Sequence, residues 1–254
     1  MCNRICWLSI GKGRTILPVK SIVMCSGKGG TGKSCAAAYI AEALARAGRK
    51  TLLLELGQDL RSLDLILGVS ATAFGTGDVL SGLCRWEEAV SPVERTAGLF
   101  LMPPGCETPI EAAEVEHLLH TLEPEFDFIL VDGAAFQSIP AKAVDLFLMV
   151  TTPDSLCVRA CAEVSRRLYA GGAKEIRLVI NDVPARVPPI ERAEDFDDVL
   201  DIIGAQLVGI IPQSPKLRCC ANSGMPLDNG SLTLKVFEHI AGRLMGRRMP
   251  LLVR

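Results

Sequence analysis

One glycine-rich stretch limits what this chain can fold into more than any other: Gly27-Lys28-Gly29-Gly30-Thr31-Gly32-Lys33-Ser34. It follows an apolar run, Ile22-Val23-Met24-Cys25, that reads as a buried strand, and it precedes Ala36 to Leu44, which reads as a helix closed by Gly48. A strand, a glycine-rich turn and a helix in that order form the context of a phosphate-binding loop. Glycines let the backbone curl tightly, so that successive N–H groups point inward at phosphate oxygens. The helix N-terminus adds the positive end of its dipole. In this pattern Lys33 reaches the β- and γ-phosphates and the Ser34 hydroxyl ligates magnesium; Gly29, Gly30, Thr31, Gly32 and the adjoining Cys35 complete the nucleotide-binding set. A turn that binds nothing would leave the closing Gly-Lys-Ser and both flanks unexplained.

The rest of the chain suits such a loop. Apolar runs recur at Lys20 to Ser26, Thr51 to Glu55, Gly98 to Met102, Asp127 to Asp132, Asp145 to Thr151, Ile176 to Asn181 and Gln206 to Ile211. They are near-continuous rather than alternating, as expected of strands covered on both faces. Helix-length segments, 34–47, 110–122, 155–170 and 195–203, separate most of them. Strand–helix alternation predicts a doubly wound, mainly parallel sheet with helices on both faces, a three-layer α/β/α domain. We assign residues 19–254 to this single domain and read residues 1–18 as an N-terminal extension or an over-early start, since they fit no later pattern. The last helix spans Leu232 to Met245; Arg243, Arg247 and Arg248 near its end suit the helix C-terminal dipole.

Composition excludes several classes. The 254 residues carry a net charge of −2, which gives no case for nucleic-acid binding, and 5% aromatic residues supply no base-stacking platform. No apolar run approaches the ~20 residues of a membrane span. Ile5 to Ile10 is too short for a signal-peptide core, so the expected location is the cytoplasm. The ten cysteines show no Cys-x-x-Cys spacing and no histidine in metal-site register, so they read as reduced structural thiols. Asp132, at the C-terminal tip of the apolar strand Phe128-Ile129-Leu130-Val131, stands where ligands bind in open α/β sheets, and is the second magnesium-holding candidate.

Further motifs resemble one family. Lys28, five positions before Lys33, resembles the early lysine of the deviant Walker A motif in ParA/MinD P-loop ATPases. Glu55 to Gly68 resembles the MinD-type segment Asp-x-Asp-x-Gly-x-Arg-Asn-Leu-Asp-Leu-x-x-Gly, and Asp78-Val79-Leu80-Ser81-Gly82-Leu83-Cys84-Arg85 resembles Asp-Val-Leu-x-Gly-x-Cys-Arg. Thr151-Thr152-Pro153, Ile180-Asn181-Asp182-Val183, Gly209-Ile210-Ile211-Pro212 and Asn222 to Pro226 continue the likeness, which runs from about Ser21 to about Pro250. The resemblance implies an ATP- and magnesium-dependent homodimer in which Lys28 reaches the partner's nucleotide, Asn181 reads the adenine edge and Pro212 packs on the base. It further implies a switch ATPase that positions the division septum or another structure and is triggered by a regulatory protein. A membrane-targeting tail is usual in the family, whereas Pro250 to Arg254 offers too little apolar face for more than weak contact. Flagellar-placement and iron–sulfur relatives share the superfamily, but Cys106 has no second cysteine just after Asp132 to complete a cluster.

The pattern departs from the family at the hydrolysis residues. The family places a water-aligning carboxylate two positions after its first acidic residue; here Glu55 is followed by Gly57, and Asp59 occupies the family's glycine. Asp59 is therefore the candidate water-positioning group. Phe136 stands where small residues sense the γ-phosphate, and Ala160 replaces an acidic neighbour of Arg159. The alternative these departures raise is a nucleotide-binding scaffold without useful turnover. Two residues of extended chain displace a side chain by roughly 6–7 Å, beyond a hydrogen bond to the same water. The double substitution Gly57→Asp with Asp59→Gly is expected to raise phosphate release about tenfold, about 1.4 kcal/mol of transition-state stabilisation, with ATP affinity nearly unchanged. Loss of all wild-type turnover in Asp59→Ala, with binding kept, would show instead that Asp59 already does this work.

Overall fold

The computed structural model describes residues 20–56, 62–70, 72–107, 109, 111–133, 139–184 and 196–252. The chain opens with β1 (Ser21–Cys25), α1 (Lys33–Arg46) and β2 (Thr51–Glu55), followed by three short helices, α2 (Leu63–Leu67), α3 (Thr76–Leu80) and α4 (Trp86–Ala89). Next come β3 (Ser91–Pro92), β4 (Leu99–Met102), α5 (Ala112–Leu122), β5 (Phe128–Asp132), β6 (Leu146–Thr151) and α6 (Ser155–Ala170). The chain continues through β7 (Ile176–Val183), α7 (Phe196–Ile203), β8 (Gln206–Pro212), α8 (Pro215–Ser223) and α9 (Leu232–Leu244). All seven strands expected from the apolar runs are present. The eighth, β3, is two residues long and pairs antiparallel at the edge of an otherwise parallel sheet of order β3-β4-β2-β5-β1-β6-β7-β8.

The continuous apolar runs are explained by the two faces of this sheet. In β1, Ile22 and Met24 join one core with α1, α2, α8 and α9, while Val23 and Cys25 join the other with α5, α6 and α7. Leu53 of β2 likewise faces the first core, and Leu52 and Leu54 the second. Successive strand side chains point to opposite faces, so a strand covered twice needs an apolar residue at every position. Helix α1 is almost wholly buried, which its run of alanines permits by letting it lie close to the sheet.

One charged side chain inside the first core is fully engaged. Glu42 of α1 accepts from Arg95 Nη2 at 3.0 Å and from Arg46 Nη2 at 3.1 Å. Arg95 Nη1 also donates to the Ile66 and Gly224 carbonyls, at 3.1 and 2.6 Å. Ile66 lies in the last turn of α2 and Gly224 caps α8, so Arg95 satisfies carbonyls that helix ends leave orphaned. A buried charge of this kind is costly once its partner is removed.

The C-terminal segment adds to one expectation. Arg243 does more than balance a helix dipole: it donates to the Met249 carbonyl at 3.1 Å and to the Leu207 and Val208 carbonyls at 3.1 and 3.2 Å. The guanidinium thus ties the chain beyond α9 to the edge strand β8, and Leu252 packs on the core. Arg247 and Arg248 remain exposed.

Glu42→Ala should lower the unfolding free energy by about 3 kcal/mol, because the mostly buried Arg95 guanidinium loses its carboxylate. Denaturant melts of the two proteins check this, and a loss below about 0.5 kcal/mol would show that the pair is solvated rather than buried.

Candidate functional site

Parallel pairing sets the site. β1 lies between β5 and β6; the chain leaves β1 for β2, beyond β5, and later crosses from β5 to β6 on the other side of β1, so the segment after β1 emerges where connections diverge to opposite sides. Such a switch point leaves a crevice at the C-terminal ends of the strands. Glu55 ends β2, Asp132 ends β5 and Thr151 ends β6, with Asn181 near the end of β7 and Pro212 at the end of β8. All of them therefore lie at the same edge of the sheet as the loop between Ser26 and Gly32.

The loop has the backbone of an anion cradle. Gly30 and Gly32 adopt φ of +82° and +84°, which side chains disfavour. Gly32 is the N-cap of α1, and Lys33 and Ser34 are its first two residues, so the expected helix begins one residue earlier than its sequence pattern suggests. At the start of the loop, Gly27 lies flat against the backbone of Ala160 in α6, where any side chain would overlap. The Gly27 N–H donates to Cys161 Sγ at 3.3 Å, and Ser26 Oγ donates to the Lys28 carbonyl at 3.0 Å. Lys28, Gly29 and Gly30 are exposed, Thr31 is buried and Cys35 half-buried, its thiol pushed up to about 12 by burial.

Charges converge beneath the loop. Lys33 Nζ forms an ion pair with Asp132 Oδ1, and Asp132 is only 2% exposed. Glu55 is the register partner of Asp132 across β2 and β5 and is 6% exposed. Glu55 Oε1 accepts from the Ser62 N–H at 3.3 Å, while Oε2 has no partner among the described residues. Burial pushes the Glu55 carboxyl up to about 7; the Ser62 hydrogen bond opposes this and the Asp132 charge adds to it. Thr31 Oγ1 is also buried and unpartnered among the described residues. Two unsatisfied buried oxygens, a lysine and a left-handed glycine cradle fit a phosphate group with its metal. Ser34 and Asp132 carry oxygen atoms of the kind magnesium takes, and among the described residues no cluster of three or more His, Cys, Asp or Glu could hold a metal.

The structure thus brings Gly29, Gly30, Thr31, Gly32, Lys33, Ser34, Asp132 and Asn181 to one edge, with Pro212 half-buried three strands from β1. Asp59, Gly57 and Phe136 lie outside the described residues. Two contacts escape sequence reasoning: Cys161 on the Gly27 N–H, and the Asn181 Nδ2 group, which donates to the Thr31 carbonyl at 2.8 Å. The latter joins residues 150 positions apart, and no local pattern announces it.

Comparison with known proteins decides the family. The sequence pattern of the CobQ/CobB/MinD/ParA nucleotide binding domain matches residues 22–227. The chain belongs to this family. Within it the chain is a MinD-like P-loop ATPase. It is 32% identical to the septum site-determining protein MinD of Synechocystis, over 91% of each chain. It is similar to a MinD from a MinC:MinD cell division complex of Aquifex aeolicus, with a TM-score of 0.85, 31% identity, and 92% and 98% of the two chains covered. A Pyrococcus horikoshii MinD solved with Mg-ADP shares the fold at a TM-score of 0.78 and 24% identity, over 89% of this chain and 95% of that one.

The Glu55 environment of this MinD-like site has a pH signature. The folded chain keeps the Glu55 proton up to about pH 7, whereas an unfolded chain releases it near 4.5. Between those values the folded state binds the extra proton, so stability falls as pH rises through the window. Glu55→Gln removes that penalty. The variant should match wild type near pH 4 and exceed it at pH 8 by on the order of 2 kcal/mol. Denaturation midpoints across the range test this; parallel curves would show that Glu55 is ionised throughout.

Proposed function

We propose that this chain is an ATP-dependent dimerising switch of the MinD kind, acting in septum-site placement or a related positioning task. The observation that supports it most is the meeting of Lys33 and Asp132 beneath a left-handed glycine loop. In this reading the loop N–H groups and Lys33 bind the β- and γ-phosphates. Ser34 and Asp132 would hold magnesium, which neutralises phosphate charge when bound. Asn181 and Pro212 face the base. Lys28, exposed at the loop, serves the nucleotide of a facing second copy. Asp59 orients the attacking water, and its displaced position makes turnover slow. The Synechocystis and Aquifex names support the division role and a docking partner protein.

The working location is the cytoplasm, with at most weak membrane contact. Among the described residues no helix is long and apolar enough to cross a membrane. The docking of the chain after α9 onto β8 also keeps Leu252 against the core.

Calorimetry with Mg·ATP should show wild-type binding reduced on the order of a hundredfold or more in Lys33→Ala, since a charge-assisted contact to phosphate is lost. Light scattering with a non-hydrolysable ATP analogue should double the wild-type mass, and Lys28→Ala should shift that equilibrium toward monomer. Unchanged affinity in the first variant removes the nucleotide assignment. Unchanged mass with the analogue removes the dimer.

A further inference from the structure

The structure carries a second role for Asn181, and it rests on the nucleotide reading above. β7 and β8 pair in register at Val179 with Gly209 and Ile180 with Ile210, then resume at Val183 with Pro212. Two residues of β7, Asn181 and Asp182, thus oppose one residue of β8. This is a bulge, and bulges re-aim side chains. Asp182 takes a φ of +55°, the left-handed conformation that Asp tolerates better than most residues, and it is the one such non-glycine among the described residues. With the strand bent here, Asn181 reaches back across β6 to the loop after β1 and donates its Nδ2 hydrogen to the Thr31 carbonyl at 2.8 Å.

That contact acts on one peptide unit. A trans peptide is planar, and its C=O and N–H point in opposite directions. The Thr31 carbonyl and the Gly32 N–H belong to the same unit. Holding the carbonyl toward Asn181 therefore turns the Gly32 N–H to the opposite side, away from Asn181. Gly32 also needs its missing side chain for this approach, since a Cβ there would overlap Asn181 Nδ2. An amide side chain has two N–H donors and one acceptor oxygen. One hydrogen engages Thr31, and the rest of the amide remains for another partner.

We propose that Asn181 is a positioning residue for phosphate binding: it fixes the Thr31–Gly32 peptide so that the Gly32 N–H faces the phosphate. The same side chain then links the base end of the site to the phosphate end. A residue that only read the base would have no effect on a ligand without a base. A residue that aims a loop N–H affects every polyphosphate.

The test uses the full chain and two probes, Mg·ATP and magnesium tripolyphosphate, by calorimetry. Asn181→Leu keeps the volume and removes the donor without adding charge, and Asn181→Ala serves should the leucine variant fail to fold by its thermal melt. The expected result is tripolyphosphate affinity reduced about fivefold to tenfold in the variant, with ATP affinity reduced at least as much. One Asn181 side-chain amide hydrogen in the wild type should also exchange slowly with solvent, which checks the contact where both variants unfold. Unchanged tripolyphosphate affinity beside weakened ATP would overturn the inference and leave Asn181 a base reader. Wild-type ATP binding without any tripolyphosphate binding would overturn it too, since the loop would then not hold phosphate by itself. A wild type that binds neither probe would remove the nucleotide reading and this inference together. Fast exchange of both amide hydrogens would contradict the contact itself.

Discussion

The ion pair between Lys33 and Asp132 depends on a single topological fact, the parallel pairing of β1 with β5. Because β1 and β5 run side by side in the same direction, the loop after one and the aspartate ending the other arrive at the same edge. The pair is buried on the Asp132 side, so each charge needs the other or an equivalent ion. A phosphate can replace the carboxylate as partner to Lys33, and a divalent cation can replace the ammonium as partner to Asp132. The interaction is thus one that a metal–nucleotide can exchange for two of its own without leaving a buried charge alone.

The remaining architecture protects that edge. Helix α1 is anchored deep in the sheet, and Arg95 ties it through Glu42 to α2 and α8. α2 follows the segment bearing the acidic residues after β2, and α8 follows Pro212, so one half-buried guanidinium braces two helices that pack with α1 on the same face of the sheet. Asn181 performs a comparable task at shorter range by gripping the loop carbonyl. These braces explain how a glycine-rich segment, which on its own would sample many conformations, is held in one.

Most of the fold could be read from the residues because a doubly covered parallel sheet needs continuous apolar runs, and all seven such runs became strands. β3 escaped because two residues, one of them Pro92, carry no such signal. The three helices α2, α3 and α4 have five residues or fewer, too short for a 3.6-residue period to show. The places of Lys33, Ser34 and Asp132 at this edge of the sheet were readable, since they follow from a local motif and a strand end. The long-range contacts of Arg95, Cys161 and Asn181 were not, because nothing in the local sequence states which distant backbone group a side chain will meet. The family resemblance pointed to Asn181 through its base and left the loop contact unseen.

On this reading Lys33 and Asp132 form the phosphate and metal end of one nucleotide site. A crystal structure of this chain with magnesium and a non-hydrolysable ATP analogue tests it most directly. In that structure Lys33 Nζ should leave Asp132 for the phosphates, and Asp132 should turn to the metal's hydration shell. Asn181 should keep the Thr31 carbonyl. A nucleotide bound elsewhere, with Lys33 still paired to Asp132, would contradict it.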